Sequence, residues 1–292
     1  MRAITLAFLS ILGLAACTRA ERSRNPGTDD FGDAIQVGSS PKRIVSLNPT
    51  TTELIFALGA GNRLVGRTTY DVYPDSARNV PDVGPGLRPN VESILGTRPD
   101  LVVIYASNDN RTAASELRAA GVNTLSIKID HIADFHRASR LLGLMLGDSA
   151  KGVAVSDSVE KTLQRVRNAT ASLPKPKVFW HIWDAPLITI ARGSYLNELV
   201  EIAGGANVYA DMDEPSPAVS IEDVIKREPQ FILAGPEGAR KIGSDPQWSS
   251  VPAVRNKGIL VVDTALVGRP SVKLGEAAVS LAKLLHPGVV TR

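Results

Sequence analysis

Short apolar runs and amphipathic stretches alternate through most of the chain, separated by turn residues. Residues 43–47 read as a short buried strand. Thr50 and Glu53 have the spacing of a capping box, and Leu54, Ile55, Phe56 and Leu58 continue it as a helix that Gly59 and Gly61 stop. The pattern then predicts a strand at 64–66, a loop at 67–89, a helix at 91–95 and a strand at 101–105. A helix at 111–120, a strand at 122–127 and a helix at 131–146 follow. Residues 151–173 differ: Val155, Val159, Thr162, Val166, Ala169 and Leu173 recur at steps of three and four. They predict one long helix, ended by Pro174 and Pro176 and about 36 Å long if it runs over 149–172. Beyond it the pattern predicts strands at 177–183, 187–190, 231–234 and 259–262, with helices at 195–203, 221–227 and 272–285. Strands alternating with helices imply an α/β fold built on parallel sheets.

The two halves repeat a unit. Val91-Glu92-Ser93-Ile94-Leu95 followed by Pro99-Asp100-Leu101-Val102-Val103 matches Ile221-Glu222-Asp223-Val224-Ile225 followed by Pro229-Gln230-Phe231-Ile232-Leu233. A weaker pair is Thr52-Glu53-Leu54…Gly59 and Asn197-Glu198-Leu199…Gly204. Such units suggest two related lobes, by duplication or by shared fold grammar. Glu53 to Glu92 is 39 residues and Glu198 to Glu222 is 24, so the first lobe carries 39 − 24 = 15 extra residues. They fall in the loop from Tyr70 to Pro89, and long loops in compact domains are often functional.

The N-terminus has its own logic. Arg2 precedes 14 residues, 3–16, in which only Thr5 and Ser10 are polar. That run is too short to span a bilayer, which takes roughly 20 residues, and has the form of a signal-peptide core. It ends Leu14-Ala15-Ala16-Cys17, which looks like a bacterial lipobox, and Cys17 is the one cysteine of the chain. The expectation is a signal peptide over 1–16, lipidation of Cys17, and a flexible polar tether over 17–38. The formal charge is +3, and +2 once Arg2 is removed (3 − 1), with no run of Lys or Arg. That balance argues against nucleic acid as a partner. The sequence has no Gly-x-Ser-x-Gly elbow, no His-Glu-x-x-His, no complete dinucleotide fingerprint and no P-loop. An exported α/β protein without these is read as a binder, not an enzyme; the rival is an anchored hydrolase with a diverged site.

Arg43-Ile-Val-Ser-Leu-Asn-Pro-Thr-Thr-Thr-Glu-Leu-Ile-Phe-Ala-Leu-Gly59 resembles the opening of the helical-backbone (class III) solute-binding proteins of ABC transporters. Val65-Gly66-Arg67-Thr68-Thr69-Tyr70-Asp71-Val72-Tyr73-Pro74 and the two repeated blocks continue the resemblance in order, and it covers about residues 40–287. It implies two Rossmann-like lobes, over 39–147 and 174–292, joined by one long helix over 148–173, with a ligand held between them. The ligand implied first is cobalamin or a related corrinoid. Haem or a ferric siderophore, bound by proteins of the same class, is the alternative. The implied partner is an ABC permease dimer with its ATPase subunits, served by a monomeric binding protein whose lobes close little.

Ligands of open α/β sheets lie beyond the carboxyl ends of the strands. Tyr70, Tyr105 and Trp183 sit at or past such ends, and an aromatic there gives flat apolar contact with a polar handle; inter-element packing is the alternative. Helix starts at Thr50-Thr51-Thr52 and Ser194-Tyr195 would aim free N–H groups at the cleft, making Thr51 a candidate contact, though capping alone explains these residues equally. Arg269, in a Gly-Arg-Pro turn, is read as facing the ligand or as a solvated loop residue. His181 shares a strand face with Trp183 and is read as a core histidine or as a ligand to a haem iron or corrinoid cobalt. The four histidines do not cluster with carboxylates, so no bare metal ion and no resident cofactor is expected. Glu92 and Glu222 each sit second in a predicted helix, where the dipole alone favours a carboxylate. In the family this chain resembles, one glutamate per lobe at this position meets arginines of the two permease subunits.

Overall fold

The computed structural model describes residues 27–38 and 40–289; residues 1–26, including Cys17, and Ser39 and 290–292 lie outside the described residues. The N-lobe runs β1 (Ile44–Ser46), α1 (Pro49–Ala57), β2 (Leu64–Gly66), α2 (Val91–Gly96), β3 (Leu101–Tyr105), α3 (Arg111–Ala119), β4 (Asn123–Ile127) and α4 (Ile132–Met145). Next comes α5 (Ser149–Thr170), one 22-residue helix, about 33 Å long. The C-lobe runs β5 (Lys177–Trp180), α6 (Tyr195–Ile202), β6 (Ala206–Asn207), α7 (Ile221–Arg227), β7 (Phe231–Ala234), α8 (Pro236–Ser244), α9 (Pro252–Arg255), β8 (Ile259–Val261), α10 (Thr264–Val267) and α11 (Leu274–Leu285). All strand pairs within the two sheets are parallel, and the sheet orders are β2-β1-β3-β4 and β6-β5-β7-β8. Both lobes therefore have the same topology, as the repeated sequence unit suggests.

One apolar cluster continues through both lobes. It runs from Ile44, Leu125 and Phe135 through Leu163 and Val166 of α5 to Trp180, Leu199 and Leu281. The long helix is thus core on its inner stripe, and burial of that stripe is what orders it. Helices α4 and α5 meet through glycine: a Cβ on Gly152 would fall 2.7 Å from the Ser139 carbonyl oxygen, and one on Gly143 2.6 Å from Gly152 Cα. The Ser139 hydroxyl donates to the Gly152 carbonyl at 2.8 Å.

Four expectations are corrected. Helix α1 has no capping box: the Asn48 side chain accepts from Thr50 N–H and Pro49 fills the first turn, so the helix starts earlier and Glu53 turns onto a buried face. Residues 187–190 form no strand; Ile188 makes only isolated bridges to Trp183 and Ala218. The segment facing them contains Pro215 and Pro217, which accept from Ala191 and Thr189 but have no N–H to return. Helix α8 was not expected, because Gly235, Gly238 and Gly243 hide its period. Finally, residues 27–38 are no free tether. Asp29 accepts from Ser126 N–H at 3.0 Å and from Arg118, while Asp30 accepts from Lys128 N–H and Arg137. Arg111 lies 4.3 Å over the Phe31 ring, so this segment straps the outer edge of β4.

Candidate functional site

Each sheet has a cavity beyond the carboxyl ends of its strands. The N-lobe cavity, about 430 Å³, lies against Leu47, Asn48 and Pro49 after β1 and Tyr105 at the end of β3. Tyr70 and Leu87 of the long loop complete it, 69% and 54% exposed and so available to a ligand. Buried Asn110 holds that loop: its amide donates to the Gly86 and Tyr105 carbonyls at 2.9 Å, and its oxygen accepts from Arg88 N–H at 3.0 Å. The Tyr105 hydroxyl donates to Asp130 Oδ1 at 2.6 Å, so the ring rather than the hydroxyl is free for contact. Burial, and then that hydrogen bond, push its pKa above the usual phenol range.

The C-lobe cavity is larger, about 840 Å³, between the ends of β5 and β7 and the starts of α6 and α8. Trp183 stands at it 61% exposed, with Ser194 and Tyr195 at the start of α6. His181 lines the same cavity but is buried, with Nε2 2.8 Å from Asp184 Oδ1 and its ring edge-on to Trp248. Lys241 of α8 donates to Asp184 Oδ2 at 3.0 Å and pairs with Glu237 at 3.2 Å. The bond from Lys241 holds the Asp184 carboxyl below the usual range.

The structure thus brings Tyr70 and Tyr105 to one cavity and Trp183 to the other. Thr51 reaches neither. It is wholly buried, its hydroxyl 2.7 Å from Ser46 Oγ and donating to the Asn48 carbonyl at 2.9 Å; Asn48 and Pro49 take the place expected for it. Arg269 is not a solvated loop residue and lines neither cavity: its Nε donates to Glu53 Oε1 across the lobes. Glu92 and Glu222 are both exposed and occupy the same second position of α2 and α7, after the caps Asn90 and Ser220. Hydrogen bonds from its own backbone N–H and from Ser220 hold the Glu222 carboxyl below its usual range. Sequence reasoning missed Leu87, Lys241 and Asp130. The strand-end rule that found Tyr105 would also have found Asp130, which follows β4.

Among the described residues no group of three or more His, Cys, Asp or Glu side chains is arranged to hold a metal ion, and no helix is long and apolar enough to cross a membrane.

Two parallel-sheet lobes on one shared helix, each opening a cavity at the strand ends, define a bilobal solute-binding protein. Residues 44–266 match the periplasmic binding protein family, and the chain belongs to it. It is 28% identical over 243 residues to a vitamin B12-binding protein of Vibrio cholerae, covering 81% of this chain and 86% of that protein. It is 27% identical over 268 residues to YvrC of Bacillus subtilis, an uncharacterized ABC transporter substrate-binding lipoprotein, covering 89% of this chain and 84% of that one. Among solved structures, the periplasmic vitamin B12 binding protein BtuF of Vibrio cholerae superimposes with a TM-score of 0.75 at 26% identity, over 84% of this chain and 96% of that one. The periplasmic heme-binding protein RhuT of Roseiflexus sp. RS-1 does so with the same TM-score and identity, over 85% and 98%. The protein is a substrate-binding component of an ABC transporter, of an exported family whose relatives bind solutes for transport.

Proposed function

We propose that the protein captures a corrinoid of the cobalamin type between its lobes and hands it to the permease of its transporter, held at the membrane by a lipid on Cys17. The observation that carries the ligand is the lining of the two cavities. Large flat contact comes from Tyr70, Leu87 and Tyr105 on one side and Trp183 on the other. Lys241 is the one Lys or Arg among the described lining residues, and it is already paired with Asp184 and Glu237. A ligand carrying several negative charges would find no free cation to meet them, and burying unpaired charge is costly. Haem brings two propionates, and ferric catecholate siderophores bring more charge. A corrinoid presents a rim of neutral amides and a single phosphodiester. The vitamin B12 bound by the Vibrio cholerae relatives supports the same choice. Haem is favoured by one observation, the imidazole of His181 at the cavity wall, but Asp184 engages its Nε2.

The test is titration of the purified protein with cyanocobalamin, hemin and a ferric catecholate, followed by absorption and calorimetry. Saturable binding of cyanocobalamin at one per chain is expected. No heat with cyanocobalamin beside saturable binding of hemin would replace the corrinoid with haem.

A further inference from the structure

Contacts cross from lobe to lobe next to residues that line the two cavities. Asp130 touches a wall of each: its carboxylate accepts from the Tyr105 hydroxyl at 2.6 Å, and its main-chain carbonyl accepts from Tyr195 N–H at 3.0 Å. The second crossing is Glu53–Arg269. Glu53 lies one turn along α1 from Pro49, which lines the N-lobe cavity; Arg269 follows Gly268, which lines the C-lobe cavity. Glu53 is buried, and its Oε2 has neither a partner nor solvent. Thr52, beside it, donates to Asp71 at 2.6 Å, which roots the loop that carries Tyr70. A buried ion pair with one orphaned oxygen adds little stability over an apolar pair of the same volume, whereas it does specify geometry. Because the pair joins the helix that carries Pro49 to the turn that carries Gly268, its geometry bears on the spacing of the cavity walls.

We propose that Asp130 and the Glu53–Arg269 pair are positioning residues that fix the gape of the cleft before a ligand arrives, so that the cleft selects ligands by thickness. The proposal rests on the corrinoid reading only in taking the ligand to bridge both cavities. It accounts for a buried lobe-to-lobe ion pair beside the more exposed His131–Glu198 crossing, and for the use of a main-chain carbonyl at Asp130, which side-chain motion cannot withdraw.

The experiment uses the full chain with Cys17→Ser and spin labels on Glu116→Cys and Arg255→Cys, one exposed position in each lobe. Pulsed dipolar spectroscopy without ligand should give one narrow distance peak, which cyanocobalamin moves by less than its width. Arg269→Met should broaden or displace the peak and raise the cyanocobalamin Kd about tenfold or more. Should that variant fail to fold, Glu53→Gln with Arg269→Met leaves no buried charge and should show the same broadening. An unchanged peak in a folded variant overturns the role of the pair. For Asp130, whose side-chain bond to Tyr105 seats the carbonyl that meets Tyr195, Tyr105→Phe and Asp130→Ala should broaden the same distance peak equally, and together no more than either alone. An unchanged peak, or additive broadening, overturns that part. A peak that broadens as expected in a protein that ignores cyanocobalamin would sink the corrinoid and leave this inference standing.

Discussion

Asp71 sits beside the cavity-lining Tyr70 yet is itself buried, accepting from the hydroxyls of Thr52 and Thr68 at 2.6 Å and from Thr68 N–H at 3.1 Å. Burial outweighs these three donors and raises its pKa above the ordinary 3.8. The unfolded chain releases this proton first, near pH 3.8. The contribution of Asp71 to stability is therefore full below that pH and is lost as pH rises through the raised folded value. Asparagine can accept from the Thr52 hydroxyl and Thr68 N–H at its oxygen and donate its amide to the Thr68 hydroxyl, the pattern of the protonated acid, without charge. Urea unfolding of Asp71→Asn against the parent protein should then favour the variant more at pH 7 than at pH 3.5; the reverse order would mean that the three donors prefer the carboxylate. At the same scale, Tyr70→Ala removes the most exposed aromatic of the N-lobe cavity and should weaken cyanocobalamin binding by roughly 1–3 kcal/mol, read by calorimetry. Tyr70, Tyr105 and Trp183 are legible in the sequence because the strand-end rule is topological and needs no contacts. Glu53 and Arg269 are not, since partners 216 residues apart leave no local trace. Thr51 misleads for the opposite reason: a polar run before a helix reads as a cap, and Asn48 is the residue that caps.

Helix α5 shows what an element contributes that single residues do not. Its apolar stripe is legible at steps of three and four, and the structure bears out the helix over Ser149–Thr170. The closeness of α4 is not legible, because it depends on which glycines face each other. Gly152→Ala would drive a methyl into the Ser139 carbonyl, 2.7 Å away, with only backbone there to give. A loss of about 1–3 kcal/mol is expected on overpacking of this kind, measurable as a lower urea midpoint. Because α5 carries both lobes, the same variant should also weaken ligand binding without touching either cavity. The repeated blocks at α2–β3 and α7–β7 were readable to within a residue, since caps and proline breaks act locally. Residues 187–190 were not, since the prolines that deny them a ladder lie about 28 residues further along.

The whole molecule repeats one exposed carboxylate in each lobe. Glu92 and Glu222 occupy matching places in lobes of identical strand order, both exposed. Such charges set orientation and encounter rate more than affinity. Glu92→Arg with Glu222→Arg should keep cyanocobalamin affinity within a few-fold and abolish uptake in vesicles holding the cognate permease; normal uptake by the folded variant would return both residues to helix-dipole roles. Cys17→Ala should leave a folded protein that no longer partitions into membrane, and equal partitioning would exclude the lipid. If Cys17 carries the proposed lipid, the strap over residues 27–38 sets the length of that anchor. Without it, 21 residues of leash would separate the lipid from Gly38; with it, ten steps of chain lead from Cys17 to the first pinned residues near Gly27. Fully drawn out, ten residues span at most about 35 Å, roughly the width of one small domain. With the proposed lipid on Cys17, search for the permease would take place within a thin layer above the bilayer, in two dimensions rather than three, and a variant with the strap undone by Asp29→Ala, Asp30→Ala and Phe31→Ala together would wander through a layer about twice as deep.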